Sequence, residues 1–342
     1  MPKRLLLICN PKAGRGLTPE RMMQMLRFYS AREYLVEVYL TKKKGDLSEL
    51  SPMLAEADRI VCSGGDGMVN QLVNLLLHHP ELDVPAFGYL PAGTTNDFAR
   101  SLGIPTVFAS ALLASVSPRL RQMDAGCLNG RYFMYVAGFG LFTDVSYRTP
   151  QKQKNALGYL AYILQGVKSL SELKPLHLCI EVAGRAGAEA SAAAASDGVT
   201  AGNGMMGSNG NNGQSEEGGV GPEQIEGDFI LGMVTNSLSV AGMKMMASAD
   251  TAFNDGLFEM ILIRNPENVF ALSELLSAVL TSNLNDPHIV YRQGSQFRFT
   301  GEKLSWTLDG EYGGAYEETE IAVAQGAMHI AVPELPGRPQ KT

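Results

Sequence analysis

The chain has 342 residues, 45% hydrophobic and 18% charged, with 28 Lys+Arg against 35 Asp+Glu for a net charge of −7. This length suggests two domains, and the apolar share excludes a chain disordered throughout. The acidic balance argues against a general nucleic-acid binder but leaves room for a local basic patch beside an anionic substrate.

Leu5–Cys9 is a continuous apolar run, as a buried parallel strand requires. The turn Asn10-Pro11-Lys12-Ala13-Gly14-Arg15-Gly16 follows, and then a helix capped by Thr18, with Pro19 at its first position, running to Tyr29. A strand over Leu35–Leu40, a helix over Leu47–Ala57 and a strand over Arg59–Cys62 come next. Gly64-Gly65-Asp66-Gly67 precedes a helix over Val69–Leu77, and a strand over Ala86–Leu90 ends in Pro91-Ala92-Gly93. The alternation predicts a parallel sheet, with ligands at the carboxyl ends of its strands. All three glycine-containing turns fall on that edge.

The remainder predicts short strands over Arg131–Ala137, Leu176–Val182, Phe229–Thr235, Phe258–Ile263, Gln296–Thr300, Ser305–Leu308 and Glu320–Val323, a sandwich or barrel pattern. Helices over Ala156–Ser169 and Pro266–Leu280, the latter with Asn265 as cap, interrupt it. Residues 184–222 hold 11 of the 37 glycines and no aromatic residue, which reads as a flexible insertion without chemistry. The fold expected is an α/β nucleotide-binding domain over 1–125, a β-sandwich domain over 126–325 carrying the insertion, and a tail over 326–342 that fits a return to the first domain. The four cysteines form no Cys-x-x-Cys pair, and Cys9 and Cys62 read as buried small hydrophobes in a protein of the reducing cytosol. No apolar stretch is long enough to span a membrane.

The chemistry concentrates in the turns. In Gly64-Gly65-Asp66-Gly67, backbone amides can approach a phosphate and the following helix offers its positive end. Asp66 is useful there if Mg²⁺ lies between carboxylate and phosphate. Gly93, Thr94, Thr95 and Asn96 offer a second polar helix start, where Thr95 or Asn96 also reads as a plain cap. Asp97 adds a carboxylate, and Asp124 after the next helix is a third. Asp309-Gly310, taken alone, reads as a hairpin turn.

Taken in order, Asn10-Pro11-Lys12-Ala13-Gly14, Gly64-Gly65-Asp66-Gly67, Gly93-Thr94-Thr95-Asn96-Asp97-Phe98-Ala99-Arg100, Asp124-Ala125-Gly126, Asn254-Asp255-Gly256-Leu257 and Asp309-Gly310-Glu311 resemble the catalytic domain of diacylglycerol kinases, above all the soluble bacterial lipid kinases. The resemblance implies a nucleotide domain of the NAD kinase and phosphofructokinase type joined to a β-sandwich, with ATP and lipid meeting between them. It implies transfer of the ATP γ-phosphoryl group to a lipid hydroxyl, most readily that of diacylglycerol. By the same resemblance Asn10, Gly14, Arg15, Gly16, Gly64, Gly65, Gly67, Gly93, Thr94, Thr95 and Asn96 surround the nucleotide. Asp66, Asp97 and Asp124 form a Mg²⁺–water network, Asp309 is the base with Glu311 nearby, and Asp255 with the Leu257 carbonyl is a structural Mg²⁺ site. Two positions depart from the family pattern: Met68 stands where threonine is usual, and Gln71 where glutamate is usual.

A lipid acceptor implies peripheral contact with a membrane surface from the cytoplasm. Arg148, Lys152, Lys154 and Lys168 beside the helix over Ala156–Ser169 are the basic candidates for that contact, and Met243–Met246 is a candidate acyl-chain entrance. Sphingoid bases, polyprenols, phosphatidylglycerol-like lipids and, least of all, NAD are alternative acceptors. A binding regulator without catalysis is a further alternative, and a homodimer is open.

Overall fold

The computed structural model describes residues 2–14, 16–42, 46–79, 86–94, 96–140, 174–184, 222–236, 239–240, 243–244, 254–281 and 283–334. Arg15, Thr95, the Asp97 side chain, the predicted helix over 156–169 with its flanking basic residues, the insertion from 185 to 221 and the tail from 335 lie outside them. So do Met245 and Met246 and the side chains at 243 and 244.

The first elements are β1 (Lys3–Cys9), α1 (Pro19–Ser30), β2 (Tyr34–Leu40), a 3-10 turn (Asp46–Leu50) leading into α2 (Ser51–Ala55), β3 (Arg59–Gly64), α3 (Asp66–His78), β4 (Phe87–Pro91), α4 (Asp97–Ser101) and α5 (Phe108–Ser115). The strands are parallel, in the order β2-β1-β3-β4. Alternate residues of a strand point to opposite faces. Leu6 and Ile8 of β1 pack with Val69, Leu72 and Phe98, while Leu5, Leu7 and Cys9 pack with Met25, Tyr29 and Leu112. Both faces are covered, which is why the run is apolar without a break. Thr18 caps α1 by accepting the Arg21 N–H, and Pro19 stands at the helix start. Burial pushes the Cys9 thiol up to about 12, so it behaves as a packed hydrophobe.

The later elements are β5 (Leu120–Leu128), β6 (Arg131–Phe133), β7 (Val136–Gly140), β8 (Leu176–Ala183), β9 (Glu223–Thr235), the short β10 (Ser239–Val240) and β11 (Met243–Lys244), β12 (Phe258–Arg264), α6 (Val269–Thr281), β13 (Ile289–Gly294), β14 (Gln296–Leu308) and β15 (Glu311–Ala331). The path β4-β15-β14-β7-β9-β12-β13 joins them to the parallel strands. The join is a parallel pairing of Ile330 with Phe87. Met328, Ile330 and Val332 accordingly sit in the same core as Ile60 and Phe87. A second core forms around Phe139, Phe299 and Trp306. No helix among the described residues is long and apolar enough to cross a membrane.

Several elements differ from the sequence reading for identifiable reasons. The runs over 296–300 and 305–308 are one strand. It is interrupted by a register shift between Thr300 and Leu304, where Gly301 has φ +128°. The run over 320–323 is the middle of β15, a strand of 21 residues. The run over 131–137 breaks at Met134–Tyr135, whose N–H groups turn to Asp309. α6 begins at Val269 because Asn268, not Asn265, accepts the Ala271 N–H. Asp124 lies within β5, a strand the sequence reading missed, as it missed β13.

Candidate active site

The turns after β1, β3 and β4 meet at one edge of the parallel sheet. Asn10 N–H donates to Ser63 O at 2.9 Å, and Ala92 N–H to Gly64 O at 2.8 Å. A Cβ on Gly93 would lie 2.7 Å from Gly65 Cα and one on Gly65 3.3 Å from Gly93 Cα, so the two backbones touch where Gly93 has no room for a side chain and Gly65 has little. Gly14, at φ +56°, packs against the Ala92 carbonyl in the same way. Asn10 shapes its own turn, its Oδ1 accepting the Lys12 N–H at 2.9 Å. A small cleft opens beside the turns, lined by Asn10, Gly16, Arg21, Ser63, Pro91 and Phe108. Arg21 lies over the Phe108 ring, 5.3 Å from its centroid.

α3 starts at Asp66 after Gly65, with no side-chain cap on its first turn. The Met68 and Val69 N–H groups bond the Gly65 carbonyl, and the helix start still turns its positive end toward the edge where an anion would lie. The Asp66 carboxylate accepts the Phe98 N–H of α4 at 3.1 Å, linking the two glycine turns. Asn96 stands at the cap position of α4 with φ +50°, but its side chain turns back, accepting from Gly93 N at 2.8 Å and donating to Gly93 O at 2.9 Å. It clamps the turn and caps no helix. Thr94 is exposed. Met68 is buried in the core, its sulfur 2.5 Å from where a Gly64 Cβ would stand, so the family's hydroxyl is replaced here by a packing group. Gln71 is half-buried on the same helix.

The β14–β15 hairpin reaches this edge from the other end of the chain. Asp309 and Gly310 have φ +49° and +85°, the left-handed pair of a two-residue hairpin turn. The Asp309 side chain is enclosed: Oδ1 accepts from Tyr135 N at 2.9 Å and Val136 N at 3.1 Å, and Oδ2 from Met134 N and Asn70 Nδ2, both at 2.8 Å. Burial pushes the carboxyl above its ordinary range, and the four donors pull in the opposite direction. Two bonds on each oxygen occupy all the lone pairs of a carboxylate. Glu311 is exposed, its Oε1 3.5 Å from where a Gly67 Cβ would lie. The hairpin thus sits directly over the first turn of α3.

Asp124 occupies a different place. Fully buried in β5, it accepts the Gly256 N–H at 2.8 Å and the Gly326 N–H at 2.6 Å. It pins the 254–257 turn to a bulge of β15 at its register shift between Ala324 and Met328. Asp255 accepts the Leu257 N–H at 2.9 Å, closing that turn on itself. Among the described residues no three His, Cys, Asp or Glu side chains converge as a metal cage.

The model for the diacylglycerol kinase catalytic domain matches residues 4–128, the stretch holding all three glycine turns and Asp124. A Bacillus subtilis (strain 168) diacylglycerol kinase is 31% identical over 336 residues, covering 97% of each chain. The chain belongs to the diacylglycerol kinase family. A Staphylococcus carnosus (strain TM300) diacylglycerol kinase is 26% identical, covering 97% of this chain and 95% of its own length. A solved diacylglycerol kinase structure from Bacillus anthracis str. Sterne shares the fold, with a TM-score of 0.67 at 20% identity over 97% of both chains.

In this diacylglycerol kinase family member the sequence reading missed the residues that hold the base candidate. Asn70, Asn74 and His78 form a polar stripe at helical spacing along α3. Asn74 donates to Tyr132 O at 2.9 Å and accepts the Tyr132 N–H at 2.9 Å, and the two ring nitrogens of His78 lie 2.6 Å from Asn74 O and 2.8 Å from Gly130 O. The i, i+4, i+8 spacing was a visible signal; its partner on β6 was not.

Proposed function

We propose that the chain is an ATP-dependent lipid kinase that phosphorylates diacylglycerol at the edge where the three glycine turns meet the β14–β15 hairpin. The observation that carries this reading is the Asn70–Asp309 bond. It brings a buried carboxylate to the helix whose open N-terminus follows Gly64-Gly65. The γ-phosphoryl group lies against Gly65, Gly67 and Gly93, where side chains would block its approach. The lipid hydroxyl gives its proton to Asp309 as its oxygen attacks the γ-phosphorus. The bond to the β-bridging oxygen breaks, and ADP leaves with that electron pair. Because all four Asp309 lone pairs are occupied, the hydroxyl has to displace a donor. The Asn70 amide is the displaceable one, since the other three are backbone groups fixed by the β6–β7 corner.

Asp66 fits a Mg²⁺ shared with nucleotide phosphates, because Mg²⁺ commonly uses one or two carboxylates and completes its shell with water and phosphate oxygens. Bound there, the ion would neutralise phosphate charge. Asp124 and Asp255 are engaged with backbone N–H groups and fit a role in shaping the wall beneath the site. Peripheral membrane contact and the division into nucleotide domain (1–125), lipid domain (126–325) and tail (326–342) belong to the same reading. The two separate cores support that division.

The test is phosphorylation of a panel of lipids in mixed micelles with radiolabelled ATP: diacylglycerol, a sphingoid base, a polyprenol and phosphatidylglycerol. Label is expected in diacylglycerol, and Asp309→Ala is expected to abolish it while nucleotide still binds. Label in another lipid alone would replace the acceptor, and activity surviving Asp309→Ala would remove the base.

A further inference from the structure

Asn70 does not reach Asp309 unaided. One helical turn further along α3, both backbone groups of Tyr132 hold the Asn74 side chain. Asn74 Oδ1 accepts the Tyr132 N–H at 2.9 Å, and Asn74 Nδ2 donates to Tyr132 O at 2.9 Å. A backbone N–H can only donate and a carbonyl can only accept, so this pair settles which end of the Asn74 amide is which. The same Nδ2 also donates to Asn70, to its backbone O at 3.0 Å and to its Oδ1 at 3.2 Å. Asn70 Oδ1 therefore faces a donor, and Asn70 Nδ2 is turned the other way, to Asp309 Oδ2 at 2.8 Å. The backbone of β6 orients Asn74, Asn74 orients Asn70, and Asn70 presents an N–H to the carboxylate.

A reversed Asn70 would set its Oδ1 against Asp309 Oδ2, two acceptors with no proton between them, and away from water such a contact is costly. Asn70 Nδ2 also has a second acceptor beside the first, since Tyr132 O lies 3.5 Å from it. We infer that Asn74 is a positioning residue for phosphoryl transfer. It holds Asn70 Oδ1 as a pivot, so that the amide points at Asp309 before the lipid hydroxyl arrives and tips to Tyr132 O when the hydroxyl takes its place. This rests on the reading of Asp309 as the base. Among the described residues, the titratable or charged groups around Asp309 are Asp66 and His78 of α3, Arg131 and Tyr132 of β6, Tyr135 at the corner and Glu311 of β15. None of their side chains bonds to the Asp309 carboxylate, whose donors are the Asn70 amide and the N–H groups of residues 134–136. The amide is thus the one side chain through which Asn74 can act on the base.

The test is the pH profile of kcat/KM, with ATP and diacylglycerol in mixed micelles, for full-length Asn74→Ala, Asn70→Ala and the double variant, alongside thermal unfolding. Asn74→Leu, which keeps the bulk of the side chain, takes the place of Asn74→Ala if the latter does not fold. The acid limb is expected to move up by about half a pH unit in Asn74→Ala and by about one unit in Asn70→Ala. The limb of the double variant is expected to coincide with that of Asn70→Ala, because Asn74 acts only through Asn70. A limb left in place by the Asn74 change overturns the inference, and a lowered melting temperature with that limb in place makes Asn74 a structural tie. Shifts that add in the double variant overturn it as well. Failure of the underlying reading is seen separately, as parent protein without lipid kinase activity or Asp309→Ala protein that keeps it.

Discussion

The side-chain amide of Asn70 donates to Asp309 Oδ2 at 2.8 Å, joining the helix after the glycine turn to a hairpin 239 residues further along the chain. The bond favours the charged form of a carboxylate that burial drives toward protonation. If Asp309 takes the acceptor proton it must be ionised, so activity rises with pH through its pKa. That raised pKa puts the acid limb of kcat/KM above the ordinary carboxylate range. Asn70→Ala removes one stabiliser of the anion and moves the limb to higher pH. Profiles of kcat/KM for parent and variant check this, and a limb that does not move would separate Asp309 from the titration.

Two glycines of the phosphate edge should respond differently to alanine. A Cβ at Gly93 meets Gly65 Cα at 2.7 Å and Asn96 Oδ1 at 2.9 Å, whereas one at Gly67 meets Glu311 Oε1 at 3.5 Å, an ordinary contact. Gly93→Ala is expected to cost about 1–3 kcal/mol of stability and to weaken ATP binding. Gly67→Ala is expected to melt within about 2 °C of the parent and still bind ATP more weakly, because its methyl group enters the space given to phosphate. Thermal unfolding paired with nucleotide titration distinguishes the two.

Asp124 holds two backbone N–H groups with one carboxylate. Asparagine keeps the shape but turns an N–H₂ toward one of those donors. Asp124→Asn is expected to lose about 3 kcal/mol, read from urea unfolding with and without a chelator. Equal loss in both conditions identifies a structural tie; a loss that appears only when Mg²⁺ is present would identify a ligand.

Met68 fills the space over Gly64. Met68→Thr restores the residue usual in the family but removes buried atoms and buries a hydroxyl. It is expected to lower stability by about 2 kcal/mol and to leave ATP affinity within about twofold. Tighter nucleotide binding by this variant would show that the threonine hydroxyl reaches the ligand.

The parallel half was legible because each strand is buried on both faces and leaves an unbroken apolar run, and because glycines mark where backbones meet. Thr18 and Pro19 announced α1 by local chemistry alone. What stayed hidden depends on distant partners. Asp124 reads as a carboxylate after a helix rather than within a strand because its neighbours Arg121 and Gln122 spoil the apolar pattern of β5, and only Gly256 and Gly326 explain a buried aspartate there. Asp309 was visible as a turn, but its enclosure comes from Asn70 and the N–H groups of residues 134–136.

β7 and β8 lie in line. Along β9, Leu231 faces Gly140 and Phe229 faces Leu176, so the chain leaves the sheet at Gly140 and resumes it two positions on, about 7 Å away. β14 bridges the same gap on the other side, pairing with Phe139 through Trp306 and with Leu178 through Gly301. β9 and β14 thus hold Gly140 and Leu176 side by side in one line of the sheet, so the sheet itself fixes where the chain leaves and where it returns.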